Sequence, residues 1–275
     1  MIISVPDTLT SDSSGKYIMS IRLWSGGLSF SAHNPSEGQS FFFREVEFNR
    51  TRPYIEWLKE DVFFANECLT WTYKRTYVLY VSQQYTLAPE SLIPEKQRPK
   101  LLSFNFPVPE KRCLANRLEE EKALIVFGIN EENYEFCARS LTSPIFTHHI
   151  TSQLITLKKQ SRNGKTNQMF VVLHRRMVDI ICFSASELVF VNSFDFEQLN
   201  DLLYYILCVW KQTGMNQLND ALFLAGDISL GTRITHFLQA YIQHIGRMEI
   251  PAKAYLLGGE ILQAPIDLLL LSVCE

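Results

Sequence analysis

Three apolar runs in the second half of the chain decide the fold: Gln168-Met-Phe-Val-Val-Leu173, Met177-Val-Asp-Ile-Ile-Cys-Phe183 and Leu188-Val-Phe-Val-Asn-Ser-Phe194. Only the short polar stretches 174–176 and 184–187 separate them. Apolar runs of this length with breaks this short predict three adjacent strands joined by tight turns.

The elements after these strands alternate between helix and strand. Apolar residues recur at spacings of 3, 1, 3, 1 and 3, which is the period of an amphipathic helix, both before Gly214 and before Gly246. The predicted elements are, in order, a helix from Leu199 to Trp210, a strand over Ala221–Ala225, a helix from Ile234 to Ile245, a strand over Ala252–Leu257 and a helix over Ile266–Val273. The order is βββαβαβα, which is the order of a ribonuclease H-like unit.

The first half repeats this order with one insertion. Its predicted elements are strands over Lys16–Trp24, Leu28–His33 and Ser40–Phe48, a helix from Pro53 to Cys68, a strand over Tyr73–Ser82, a hairpin of Arg112–Arg117 with Ala123–Ile129, a helix over Glu131–Ser140, a strand over Pro144–His149 and a helix over Ser152–Gln160. Five of the 11 prolines lie between Thr86 and Glu110, so we expect an irregular insertion near 86–110.

The polar segment 161–167 predicts the boundary between the halves. The predicted architecture is therefore α/β, with a first ribonuclease H-like subdomain over residues 1–162 and a second over residues 163–275. Because His148 and His149 are neighbours in one predicted strand, we expect them to point to opposite faces and not to share a metal ion.

Composition excludes several classes of function. With 26 Lys plus Arg against 29 Asp plus Glu, the net charge is −3, which predicts no general affinity for nucleic acid. No apolar run reaches the length of a membrane span, because Gln263, Pro265 and Asp267 interrupt the most apolar stretch. The six cysteines include no C-x-x-C pair, so we expect reduced core thiols and a cytoplasmic protein.

Three segments of the chain match a known family: Ser20-Ile-Arg-Leu-Trp-Ser-Gly-Gly-Leu-Ser-Phe-Ser31, Tyr85-Thr-Leu-Ala-Pro-Glu90 and Pro265-Ile-Asp-Leu-Leu-Leu-Leu271. On these segments the chain resembles the domain-of-unknown-function family 3822, and through it the actin-like ATPase fold. The resemblance covers nearly the whole chain and implies no reaction, because the family has no known activity. Proteins of the actin-like fold that use ATP hold phosphate and metal at a turn of the form Asp-x-Gly in each half.

The turns at the matching positions depart from that form. The first is Trp24-Ser25-Gly26-Gly27, which has glycines without the aspartate, and the second is His174-Arg175-Arg176-Met177, which has neither. A third, Gly226-Asp227-Ile228-Ser229, matches an adenosine-binding Gly-Gly turn only at its first glycine. Each also has a plain structural interpretation, as a hairpin turn, a solvated turn and a helix cap respectively.

These departures favour a protein that is not an enzyme and that needs no cofactor. We expect an interaction or scaffold module with a degenerate nucleotide site, with a protein partner or self-association and no nucleic acid. The alternative is weak ATP binding or ATPase activity in a cleft between the halves. The candidate cofactor-binding residues are Gly26, Gly27, Arg175, Arg176, Gly226, Asp227 and Ser229, with no catalytic and no metal-binding residue.

Overall fold

A computed structural model describes residues 3–162, 164 and 166–274. The chain divides into two compact units, the first formed by Met1–Thr151 with Ala252–Ala264 and the second by Ser152–Pro251 with Pro265–Glu275. Each unit is built on a five-stranded mixed sheet with helices, as the duplicated pattern predicts. In the part of the chain that the structure describes, no helix has the length and apolar character needed to cross a bilayer.

The strands of the first unit's main sheet are β1 (Ile18–Trp24), β2 (Gly27–His33), β3 (Phe42–Glu47), β4 (Arg75–Tyr80) and β8 (Ile145–His148). Their order in the sheet is β3-β2-β1-β4-β8. The helices of this unit include α1 (Tyr54–Trp57), which continues as a π-helical turn over Leu58–Phe63, and α3 (Glu131–Ser140). The first three strands pair antiparallel, and β4 and β8 add in parallel.

Alternation along the strands sets the core of this unit. Met19, Ile21 and Leu23 point to one face of β1, and Phe30 joins them from β2. Residues of the helices, among them Trp57, cover this face. The burial of these apolar side chains stabilises the unit, because two-residue periodicity places all of them on one side.

The insertion is ordered, so the prediction of an irregular segment near 86–110 is wrong in part. It contains β5 (Tyr85–Pro89) and α2 (Arg98–Asn105). β5 pairs with β7 (Ala123–Ile129), which pairs with β6 (Arg112–Leu118), in a separate three-stranded sheet of order β5-β7-β6. α2 packs on this sheet through Leu102, which lies in a small core with Leu124 and Val126.

A late segment of the chain returns to the first unit. The predicted strand Ala252–Leu257 is a helix, α7 (Ala252–Leu257), and this segment belongs to the first unit. The amide groups of Gln39 and Phe41 donate to the carbonyl groups of Leu256 and Leu257, at 2.9 and 3.0 Å. The segment thus provides acceptors for backbone amides in the stretch that leads into β3.

The strands of the second unit's sheet are β9 (Gln168–Leu173), β10 (Met177–Ser184), β11 (Glu187–Asp195), β12 (Ala221–Gly226) and β13 (His244–Arg247). Their order in the sheet is β11-β10-β9-β12-β13. The helices in this part of the chain are α4 (His149–Ser161), α5 (Leu199–Gln212), α6 (Ile228–Leu238) and α8 (Ile266–Val273). The helix predicted up to Ile245 ends at Leu238, and the last strand is β13.

The division between the units differs from the predicted boundary at 162/163. It falls after Thr151, within α4, because the remainder of this helix packs with the second unit. The predicted boundary residue Asn163 and the linker residue Lys165 lie outside the described residues.

Candidate functional site

The β1–β2 turn of the first unit is covered by the side chain of Trp24. A Cβ atom added at Gly26 would lie 2.6 Å from Trp24 Nε1. One added at Gly27, whose φ is +154°, would lie 2.2 Å from the carbonyl oxygen of Val46. Gly27 is therefore required by its backbone conformation and by the close approach of the Val46 carbonyl, while at Gly26 a side chain would displace the Trp24 ring.

The backbone carbonyls of this turn have partners in the same unit. The amide group of Phe48 donates to Gly26 O at 2.8 Å, and the hydroxyl group of Tyr54 donates to Gly27 O at 2.8 Å. Burial raises the pKa of Tyr54 well above its usual value, so its hydroxyl stays protonated as a donor. Arg22, which is buried, places its guanidinium 5.0 Å from the centre of the Trp24 ring.

The β9–β10 turn of the second unit contains His174, Arg175 and Arg176. The turn closes through a hydrogen bond from the amide of His174 to the carbonyl of Met177, at 2.9 Å, and Arg176 O accepts from the amide of Phe196. The residues Arg175 and Arg176 are exposed, whereas the side chain of His174 is only 10% exposed.

Sequence reasoning missed a buried carboxylate behind this turn. Asp179 on β10 is fully buried, and both of its oxygens accept hydrogen bonds. Its Oδ2 lies 2.7 Å from His174 Nε2 and 2.8 Å from Gln153 Nε2, and its Oδ1 accepts from Ser193 Oγ at 2.6 Å. The signal was present, because Asp179 is the only charged residue in the apolar run 177–183.

The turn after β12 is shaped by Gly226. Its φ is +87°, and a Cβ atom there would lie 2.0 Å from the carbonyl oxygen of Leu173. Asp227 follows as the N-cap of α6, with Oδ1 accepting from the amide of Leu230 at 2.9 Å. Ser229 lies exposed in the first turn of this helix.

Two of the three turns lie side by side at the carboxyl ends of β9 and β12 in the second sheet, an end that is called the β9–β12 edge below. β9 and β12 are parallel, with Leu173 paired to Gly226, and the amide of Asp227 donates to Leu173 O at 3.1 Å. The structure therefore brings Arg175 and Arg176 to the same edge as Gly226, Asp227 and Ser229, where the carboxyl ends of parallel strands meet. Gly26 and Gly27 belong to the first unit.

The histidine pair departs from its predicted arrangement. His148 ends β8 and His149 begins α4, so the two residues do not alternate along one strand. Their ring centres lie 4.4 Å apart, and the expectation that they point to opposite faces is wrong. His148 Nε2 lies 3.1 Å from the carbonyl oxygen of Ser82 and packs beside Tyr85 and Phe127.

The carboxyl groups at and behind these turns are hydrogen-bonded within the protein. The carboxylate oxygens of Asp179 are engaged by three protein donors, and Asp227 caps its own helix. A Mg²⁺ site for nucleotide needs a carboxylate whose oxygens face the metal and its waters. The exposed guanidinium groups of Arg175 and Arg176 are the groups at the β9–β12 edge suited to an anion.

Comparisons with known proteins identify relatives over nearly the full chain. A protein from Bacteroides thetaiotaomicron VPI-5482, described as having an actin-like ATPase fold and unknown function, is 30% identical, with a TM-score of 0.83 over 97% of this chain and 99% of that one. The type IV pilus biogenesis complex PilM–PilN has a TM-score of 0.55 at 10% identity, over 93% of this chain and 98% of that one. None of the curated proteins is similar in sequence.

The family comparison agrees with the structural one. The profile of the family described as "Protein of unknown function (DUF3822)" matches residues 6–245, which is most of the chain. With its two ribonuclease H-like sheets and its close similarity to the Bacteroides structure, the chain belongs to this family and has the actin-like ATPase fold.

Proposed function

We propose that this protein is a non-catalytic interaction or scaffold module of actin-like ATPase fold whose nucleotide-binding turns are degenerate. The observation that carries the proposal is that the protein itself uses the groups at these turns. Trp24 covers Gly26 in the first unit, and three donors hold Asp179 in the second.

Releasing Asp179 for a metal ion would carry a large cost. Its carboxyl group is fully buried and is hydrogen-bonded to three protein groups. A metal ion that displaced these groups would leave the buried side chains of Gln153 and Ser193 without this partner. In this proposal the carboxyl group of Asp179 supports the packing of the second unit and does not anchor a nucleotide.

An interaction role is supported by an exposed apolar side chain at the candidate site. Ile228, the first residue of α6 and the residue after Gly226 and Asp227, is 66% exposed. The partner is another protein or a second copy of the chain. Sedimentation velocity across a range of concentrations decides between these, because self-association raises the sedimentation coefficient with concentration.

The cytoplasm is part of the same proposal. All six cysteines are free, three of them buried, and proteins that keep several free thiols belong to reducing compartments.

The alternative is a weak anion or nucleotide site confined to the second unit. The observation that favours it is the meeting of Arg175 and Arg176 with the N-terminus of α6 at the carboxyl ends of β9 and β12. Helix N-termini and guanidinium groups both attract phosphate.

Titration calorimetry with ATP, with and without Mg²⁺, tests the proposal. We expect no saturable heat of binding up to about 1 mM ATP. A Kd of about 1 mM corresponds to a binding free energy of about −4 kcal/mol. Binding that requires Mg²⁺ would contradict the degenerate site. Binding that is independent of Mg²⁺ and is lost in the double variant Arg175→Gln, Arg176→Gln would establish the alternative.

The matched control for this variant is the double variant Lys211→Gln, Lys253→Gln, because both lysines are exposed. Lys158 and Lys159 do not serve as a control pair, because Lys158 is buried and pairs with Glu187.

A further inference from the structure

We propose that the α2 segment of the insertion docks this protein on an anionic lipid bilayer. The segment is Lys96-Gln-Arg-Pro-Lys-Leu-Leu-Ser-Phe-Asn-Phe-Pro-Val-Pro109 and is called the α2 ridge below. It contains three cations and no Asp or Glu, in a chain whose net charge is −3. This inference stands apart from the nucleotide question and survives either outcome of the ATP titration.

The orientation of α2 determines which side chains project. Leu102 is 1% exposed and packs on the insertion sheet. With 3.6 residues per turn, Lys100 and Phe104 lie on the face opposite Leu102 and next to each other, four residues apart. Phe104 is 88% exposed, and Lys100 is exposed as well.

The charges of the α2 ridge are uncompensated. Among the described residues, none forms a salt bridge with Lys96, Arg98 or Lys100, whereas Arg112 and Arg117 nearby do form salt bridges. Lys96 and Lys100 are exposed, whereas Arg98 is only partly exposed and its Nε is buried. The charges of the two lysines are therefore available to an anionic surface, which attracts Lys and Arg within about one Debye length, roughly 10 Å at 0.1 M salt.

The apolar part of the α2 ridge is held in a defined position. Pro99 lies in the first turn of α2, while Pro107 and Pro109 restrict the chain after it. Phe106 packs inward against the insertion core, and Val108 is 80% exposed. Phe104 and Val108 therefore need little further ordering on binding, which lowers its entropic cost.

A bilayer fits these features better than a protein groove. Phe104 projects from the helix, so its partner must supply the apolar environment around the ring. The boundary between headgroups and acyl chains accepts an aromatic ring beside lysine side chains without a preformed pocket. Another exposed phenylalanine, Phe64 at 76%, follows Glu60 and Asp61 and lacks this cationic setting.

Cosedimentation with lipid vesicles tests the inference on the full-length protein. Vesicles of phosphatidylcholine with about one third phosphatidylglycerol should bind at least tenfold more tightly than pure phosphatidylcholine, and about 0.5 M salt should weaken the binding by screening. The variant Phe104→Ser and the double variant Lys96→Gln, Lys100→Gln should each lower the affinity at least fivefold. Phe64→Ser is the matched control and should bind as the wild type does.

A fluorescence measurement locates the contact. The variant Phe104→Trp should shift its emission to shorter wavelength when anionic vesicles are added, and Phe64→Trp should not. Equal binding to both kinds of vesicle, unchanged binding of Phe104→Ser, or the absence of a shift in Phe104→Trp overturns the inference. No binding of the wild type at millimolar lipid also overturns it and leaves an acidic protein surface as the occupant of the α2 ridge.

Discussion

His33 at the end of β2 shows how burial changes the chemistry of a single side chain. It is 3% exposed, and its ring stacks on Phe41. Desolvation by burial lowers the pKa of His33 from 6.5 to about 4, because the charged ring loses its hydration inside the unit. At neutral pH the side chain is therefore neutral in the folded protein.

This shift predicts a specific dependence of stability on pH. Between pH 6.5 and about 4 the unfolded chain binds a proton at His33 that the folded chain does not, so stability falls as the pH drops through this window. The loss attributable to His33 is about 3 kcal/mol. Urea unfolding of wild type and His33→Leu at pH 7.5 and pH 4.5 measures it. The free energy of unfolding should fall less in the variant, and equal losses would contradict the assignment.

Gly226 illustrates a backbone requirement at the candidate site. Gly226→Ala should lower the free energy of unfolding by at least about 2 kcal/mol, because a Cβ atom meets Leu173 O and the positive φ disfavours any side chain. Gly231→Ala within α6 is the control, since its Cβ would lie 3.6 Å from Leu173 Cδ1, an ordinary contact. It should be neutral or stabilising by up to about 1 kcal/mol. Thermal unfolding of both variants checks this.

The backbone requirement at Gly226 makes this residue a poor target for testing ATP binding. A Gly226→Val variant would disturb the β9–β12 pairing, so a loss of ATP affinity in it would not show that nucleotide contacts Gly226. The arginine pair of the β9–β10 turn is the better target, because both residues are exposed.

Among the elements, the insertion sheet is joined to the main sheet of the first unit through Asn116 on β6. Its Oδ1 accepts from the amide of His148 at 2.7 Å and from the hydroxyl of Thr151 at 3.0 Å. Its Nδ2 donates to Phe146 O at 3.0 Å. One amide side chain thus satisfies backbone groups along the edge of β8 that the main sheet leaves unpaired.

Removing this side chain should loosen the junction. Asn116→Ala should cost about 2–3 kcal/mol, because it leaves the amide of His148 and the carbonyl of Phe146 without their partner. Asn105→Ala on α2 is the control, since that side chain is exposed and makes one hydrogen bond, to Leu101 O. It should change stability by less than about 0.5 kcal/mol. Chemical denaturation measures both, and equal effects would refute the role of Asn116.

At the scale of the whole molecule, the chain crosses between its units more than once. The first unit is completed by Ala252–Ala264, and the second by Pro265–Glu275. Neither unit is therefore a continuous segment of sequence, and a cut at the predicted boundary would remove parts of both. The pairing of Leu256 and Leu257 with the backbone beside β3 depends on this return.

The cysteines report on the integrity of the two cores. Cys68, Cys137 and Cys182 are buried, and burial raises the pKa of their thiols to about 11, 12 and 12. Because the thiolate is the reactive form, these three should resist dithiobis(nitrobenzoate) in the native protein. Cys113, Cys208 and Cys274 are partly exposed and should react first. All six should react in denaturant, and rapid reaction of all six in the native protein would contradict the packing described.

The sequence by itself determined the duplicated order of strands and helices. The hairpin of β1 with β2, the three strands β9 to β11 and the helix α5 were predicted to within a few residues, because alternation and helical periodicity are local properties of the chain. The family and its fold followed from motifs of the same local kind. The insertion, although predicted in place, was expected to be irregular, because its prolines obscured β5 and α2.

Only the tertiary structure decided which segments pair across long distances. The run 252–257 is apolar and short, so its pattern suits a strand or a helix, and its place beside residues 39–41 settled the matter. The same holds for Asp179: His174 and Ser193 are its neighbours in the strand hairpins, but the contact with Gln153 on α4 depends on how that helix packs against the sheet. Such contacts depend on packing between distant residues, and local periodicity carries no information about them.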